Sequence, residues 1–180
     1  FSPVSGLLRK GRFIIVCWWL SGKPAHLPGL CLGWIIRIKL NRYKMKERIS
    51  RNFTWEEMTY SRVAVENGLV NEPPFEVKQV MMELVKRLLQ PLRLAYGKPI
   101  AITSGYRSPE VNRLVGGVPS SQHVKGEAAD CYVPDPKELL DVLLYCKLPF
   151  DQAILYKRKK FLHLSFRVNG ENRYQVIINK

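Results

Sequence analysis

The order of sequence patterns predicts an α+β fold. Helical periodicity and capping signals dominate from Thr54 to Gly97, whereas alternating strand-like runs close the chain at 152–156, 161–166 and 173–178. Helices that come first, with a meander of strands after them, point to one domain with an antiparallel sheet on which the helices pack. There is no internal repeat and no low-complexity tract.

Each element follows from local chemistry. Thr54 and Glu57 have capping-box spacing, so a short helix is expected from there to Asn67 and Gly68, a left-handed stop. Pro73 and Pro74 open a longer helix, in which Val77, Val80, Met81, Leu84 and Leu88 recur at three- and four-residue steps and form one buried stripe. Pro91 is expected to end or kink it, and Gly97 to close the segment. Residues 99–103 read as a strand. Ser108 before Pro109 caps a brief helix that runs to Gly116 and Gly117. Residues 128–133 read as a second strand, and Asp135 before Pro136 caps a helix that runs to about Cys146. Asn169 and Gly170 are a hairpin signal between the last two strands.

Charge divides the chain unevenly. Its 180 residues hold 29 Lys+Arg against 15 Asp+Glu, a formal +14. Residues 1–44 contain no acid and eight basic residues, along with Trp18, Trp19, Trp34, Cys17 and Cys31, so 14 − 8 = +6 remains for 45–180. A leader, 1–44, followed by a domain, 45–180, is the expected organisation. The leader reads as translated upstream sequence, with an export or anchoring segment and a basic arm as the alternatives. Its apolar run at 13–20 is interrupted by Lys23, Pro24 and His26, short of the roughly 20 residues of a membrane span. The 46% hydrophobic content excludes a largely disordered chain.

Chemistry concentrates in a few residues. His123 and Asp130 lie seven apart with Gly126 between them to turn the backbone, and His163 lies in the alternating run 161–166. Two imidazoles and one carboxylate are the ligand set of a catalytic zinc site with a fourth position open to water. The same residues also fit a bland reading, in which His163 is a satisfied core residue.

The wider string separates these readings. Ile102, Thr103, Ser104, Gly105, Tyr106 and Arg107 are followed by Ser121-x-His123-x-x-Gly126-x-Ala128-x-Asp130, then by Phe161, Leu162, His163, Leu164 and Ser165. Together these resemble the zinc D-alanyl-D-alanine carboxypeptidase family, whose superfamily includes D,D-dipeptidases, phage endolysins and the Hedgehog signalling domain. The likeness runs from about Phe53 to Ile178. It implies a Hedgehog/D,D-peptidase-like fold, with His123, Asp130 and His163 as zinc ligands. It further implies that Arg107 anchors a substrate carboxylate or carbonyl and that Ser121 bonds the substrate beside the first ligand. The pattern departs from the family at one place. Relatives carry a Glu or His shortly before the last histidine, but here Lys157, Arg158, Lys159 and Lys160 lead into Phe161. Asp151 is the candidate base, with Glu127 the other acid nearby; a strand-start residue bonding backbone is the competing reading of Asp151.

The resemblance implies zinc-dependent hydrolysis of bacterial cell-wall stem peptides, by a D,D-carboxypeptidase or a related murein endopeptidase. Its rival is an inactive zinc-containing module that binds wall or protein. The expected partner is peptidoglycan, met in the periplasm, outside the cell, or after phage-type release from the cytoplasm. The protein is expected to be a monomer with no stable membrane span and no nucleic-acid partner. Residues 157–160 favour phosphate by charge alone, yet between two strands they read as a solvated hairpin tip. Cys131, next to Asp130, should face the opposite side of its strand, and Cys146 should be a core residue of its helix.

Overall fold

A computed structural model describes residues 47–179, and the leader reading of 1–44 lies outside the described residues. The chain enters through two short helices, α1 (Trp55–Thr59) and α2 (Arg62–Glu66). Thr54 and Glu57 form the capping box of α1. The single helix expected there is instead broken. Tyr60 is extended, and the Ser61 hydroxyl accepts from the Ala64 N–H to start a new helix.

The long helix begins as α3 (Phe75–Leu84) and continues to Tyr96 as α4 (Gln90–Tyr96). Between them, residues Val85–Leu89 form one widened π turn in which the Gln90 N–H reaches the Val85 carbonyl. The stop that Pro91 could have imposed does not occur, since the helix runs on to Tyr96. Proline lacks an N–H and its ring crowds the carbonyl four residues back, and one widened turn just before it accommodates both without ending the helix. Gly97, at φ 70°, closes the helix as expected.

Strands β1 (Ala101–Ser104), β2 (Ala128–Tyr132), β3 (Gln152–Tyr156), β4 (Phe161–Ser165) and β5 (Gln175–Asn179) form one sheet in the order β1-β2-β4-β3-β5. Helix α5 (Pro109–Leu114), capped by Ser108, lies between β1 and β2 in the chain, and α6 (Pro136–Tyr145), capped by Asp135, follows β2. The sheet is mixed rather than antiparallel, because β5 runs parallel to β3. The hairpin expected at Asn169 and Gly170 is therefore not a two-strand hairpin. Both edges of β4 are already occupied, by β2 and β3, so the returning chain must cross the start of β3 and pair on its free edge.

Alternation along the strands gives the sheet two unlike faces. One presents Ala129, Cys131, Ala153, Leu155, Leu162 and Leu164, all buried in a single core with Met81, Leu84, Leu88 and Leu92 of the long helix and Leu139 and Leu143 of α6. Cys131 is buried there as expected, and burial pushes its thiol pKa up, so it is an inert core group. Cys146 departs from expectation: it is exposed and free, since α6 ends at Tyr145 and leaves Cys146 as its cap. The opposite face carries the polar residues described next. Among the described residues, no helix is long and apolar enough to cross a membrane.

Candidate metal centre

Asp130, His163 and Ile154 stand opposite one another on β2, β4 and β3. Directly opposed residues project from the same face, so pairing alone brings the carboxylate beside the imidazole. The His163 Nδ1 lies 2.8 Å from Asp130 Oδ1. His123 comes from the loop before β2, and its Nε2 sits 3.3 Å from His163 Nδ1 and 3.4 Å from Asp130 Oδ1. The three ligand atoms all lie within 4.8 Å of one another.

The loop is built to deliver His123. Gly126 has φ 74°, and a Cβ there would stand 2.8 Å from both Met81 and Val77, so the left-handed turn and the tight packing both require glycine. His123 Nδ1 lies 2.7 Å from the Gly105 carbonyl. That bond fixes the tautomer with N–H on Nδ1 and leaves the Nε2 lone pair facing the cluster. The donor set of two imidazole nitrogens and one carboxylate oxygen therefore fits a zinc ion, with His123, Asp130 and His163 as the residues that would hold it.

Electrostatics agree with the geometry. Burial alone would raise the Asp130 carboxyl pKa, but the imidazoles of His123 and His163 beside it outweigh burial and hold the group ionised well below the usual carboxylate range. Arg107 adds a third contact, its Nη2 2.8 Å from Asp130 Oδ2, while its Nε donates to Ser104 Oγ at 2.8 Å. A bulge in the β1–β2 pairing between Ile102 and Ser104 sets Ser104 opposite Asp130, which puts this Arg107 anchor at the site.

These residues line one cleft of about 900 Å³. His123, Asp130, His163, Arg107 and Ser121 all face it, together with Glu127, Tyr156 and Lys159. Ser121 Oγ also accepts from the His123 N–H at 3.3 Å. Asp151 is placed elsewhere: it is fully buried and does not line the cleft. Its carboxylate accepts from Arg173 Nε at 2.9 Å and Nη2 at 2.6 Å, and from Gln122 Nε2 at 3.0 Å. Burial would raise its pKa, and these bonds hold it lowered instead. The geometry is that of a strand-start residue tying the β4–β5 connection to the ligand loop. Glu127 is the cleft carboxylate left over; burial raises its pKa, against the lowering influence of Lys125, Gln122 and Arg167.

The family model for Peptidase M15 matches residues 51–165, which spans every motif residue and all three candidate ligands. The chain belongs to the peptidase M15 family. This is the zinc D-Ala-D-Ala carboxypeptidase-like family of metallopeptidases, in agreement with the donor set found on the sheet. Comparison with curated proteins gives no match.

Sequence reasoning passed over several supporting residues of this M15 site. Gly105 supplies the carbonyl that orients His123, and a Cβ there would meet the Met58 carbonyl oxygen at 2.3 Å. Asn71 donates to the Thr59 and Tyr106 carbonyls and accepts from the Ser108 N–H, clamping the turn that carries Arg107. Gln122 donates to Asp151 through its side chain and accepts from the Glu127 N–H through its carbonyl. Only a Gly in a motif and polar residues in loops signal these roles, and neither signal names its distant partner.

Proposed function

We propose that this protein is a zinc-dependent hydrolase of peptide bonds in bacterial cell-wall stem peptides, a D,D-carboxypeptidase or related murein endopeptidase with a Hedgehog/D,D-peptidase-like fold. The observation that carries this reading is the convergence of His123, Asp130 and His163 on the floor of a cleft that Arg107 and Ser121 also line. When bound, zinc supplies Lewis-acid polarisation of the scissile carbonyl and a lowered pKa for its water.

The residues divide the remaining work. Arg107 is braced by Ser104 and Asp130, so its guanidinium is pre-oriented to hold a substrate carboxylate or carbonyl through planar, charge-assisted bonds. Ser121, which lines the same cleft, offers a hydroxyl to the peptide. Glu127, rather than Asp151, is the carboxylate that takes up and returns a proton, since Asp151 is bonded to Arg173 and Gln122 whereas Glu127 faces the cleft. A carboxyl whose pKa is raised by burial is better matched to proton transfer near neutral pH. Gln122, anchored on Asp151, accepts the Glu127 N–H and so fixes the backbone that carries this carboxylate.

The test is product identification by mass spectrometry from purified peptidoglycan, with and without chelator. Loss of cleavage on chelation, restored by zinc, is expected; chelator-insensitive turnover would refute the metal reading. A second reading, a zinc-containing module that binds wall or protein without turnover, is favoured by one feature: residues 157–160 before His163 bear neither acid nor imidazole. Zinc-loaded protein that binds wall fragments and never cleaves them would establish it.

A further inference from the structure

The basic hairpin tip is not only a solvated turn. Lys157, Arg158, Lys159 and Lys160 join β3 to β4, and no acid occurs anywhere in 152–170. All four are exposed, and no ion pair to an acid among the described residues involves them. Lys159 differs from its three neighbours in lining the same cleft as the ligand cluster.

Strand register shows where along the cleft this charge lies. Tyr132, Phe161 and Tyr156 are opposite one another at the hairpin end of the sheet, His163 is opposite Asp130 and Ile154 in the middle, and Ser165 is opposite Ala128 and Gln152 at the far end. Phe161 is therefore about 7 Å along the strand from His163, which is two residues of an extended chain. The far end is basic too, but compensated. Arg167 lies 3.2 Å from Asp151, and Lys125 and Arg167 both act on Glu127. The hairpin end has no such compensation. Beside it, Tyr156 and Phe161 stack with ring centroids 4.5 Å apart and an interplanar angle of 21°, a flat apolar platform next to a free ammonium.

We propose that the β3–β4 hairpin is a specificity element in which Lys159 recognises a substrate carboxylate one or two residues from the scissile bond, with the Tyr156–Phe161 platform beneath the intervening chain. This rests on the peptidase reading above and names its substrate class: peptides acidic on the hairpin side. Lys157, Arg158 and Lys160 strengthen the field around that position without lining the cleft.

Matched synthetic peptides test it, one pair differing by Glu against Gln beside the cleaved bond and one by free acid against amide at the C-terminus. Binding to the zinc-loaded full chain is read by fluorescence anisotropy, and turnover is read separately. In at least one pair the acid should bind about fivefold more tightly, the upper range for an exposed Lys–carboxylate contact. In the Glu/Gln pair the preference should vanish in Lys159→Ala and reverse in Lys159→Glu, and in the acid/amide pair, where Arg107 also meets a carboxylate, it should weaken in both variants, with zinc content and thermal midpoint unchanged. The pair that responds tells a side-chain from a terminal carboxylate. An acid preference without any cleavage sinks the peptidase reading and leaves the hairpin assignment standing. Equal affinity within both pairs, no binding of either, or a preference that Lys159→Glu leaves undiminished overturns the hairpin assignment. So does tight oligonucleotide binding that requires Lys159 while the peptide pairs stay equal.

Discussion

At the scale of single residues, the site is two shells with different sensitivities. Replacing His163 by Ala removes one of three donors, and zinc retention after dialysis should fall far below one ion per chain; full stoichiometry by metal analysis would contradict the assignment. Gly105 is the more discriminating case, because it donates nothing to a metal. Gly105→Ala pushes a methyl into the Met58 carbonyl and displaces the oxygen that orients His123. Zinc affinity should drop by about 10- to 100-fold, the usual cost of losing an outer-shell partner. Competition with a chelating dye measures it, and unchanged affinity would show that His123 needs no such orienter. Two of the three candidate donors share one motif, His123 on a short loop and Asp130 on the strand after it, whereas His163 on β4 is joined to them in the sequence only by the family resemblance. The supports were not legible in either way. Gly105 matters through Met58, Asn71 through Tyr106 and Gln122 through Asp151, and each such pair is made by tertiary folding rather than by neighbouring sequence.

At the scale of elements, local rules served where the element is closed by its own residues. The Thr54–Glu57 box, the Ser108 and Asp135 caps and the left-handed Gly97 all appear at their expected places, since each satisfies backbone groups within one turn. They failed where a neighbour decides. The turn signal at Asn169 and Gly170 is real as a bend, but occupancy of both β4 edges diverts the strand after it to β3. Residue Arg173 is what fastens that diverted strand, through its backbone N–H and guanidinium on Asp151, with the Gln175 N–H on the Asp151 carbonyl beside it. Arg173→Ala should therefore release β5 selectively. Hydrogen exchange of the amides in 175–179 should accelerate while those of β2 and β4 stay protected. Uniform acceleration across the sheet would mean that β5 is integral to the sheet's stability and not an appended edge.

At the scale of the whole molecule, the +14 charge describes the chain poorly, because 1–44 carries +8 of it and the family match begins at residue 51. More consequential are two acids taken out of water. Asp130 and Asp151 both keep carboxyl pKa values below the ordinary range, because burial, which alone would raise them, is outweighed by His123 and His163 in one case and by Arg173 and Gln122 in the other. A group whose pKa is lowered on folding adds stability that is fully present above its unfolded value, about 3.9 for Asp, and is lost as pH falls through the folded value. Acidification below about pH 4 should therefore destabilise the domain, as Arg173 and Gln122 lose the carboxylate that joins them. Asp151→Asn separates this contribution from general acid sensitivity. At pH 6 the variant should be less stable by about 1–2 kcal/mol, because the carboxylate is buried but its partner Arg173 is 44% exposed and screened by water. Toward pH 3 the gap should narrow, because the carboxyl of the unfolded wild-type chain then takes up a proton ahead of the folded one. Urea unfolding of chelated protein at both pH values measures the difference with the metal held out of the comparison. A gap that stays constant between pH 6 and 3 would show that Asp151 stabilises the fold by packing and neutral hydrogen bonds, and not by the charge that Arg173 encloses.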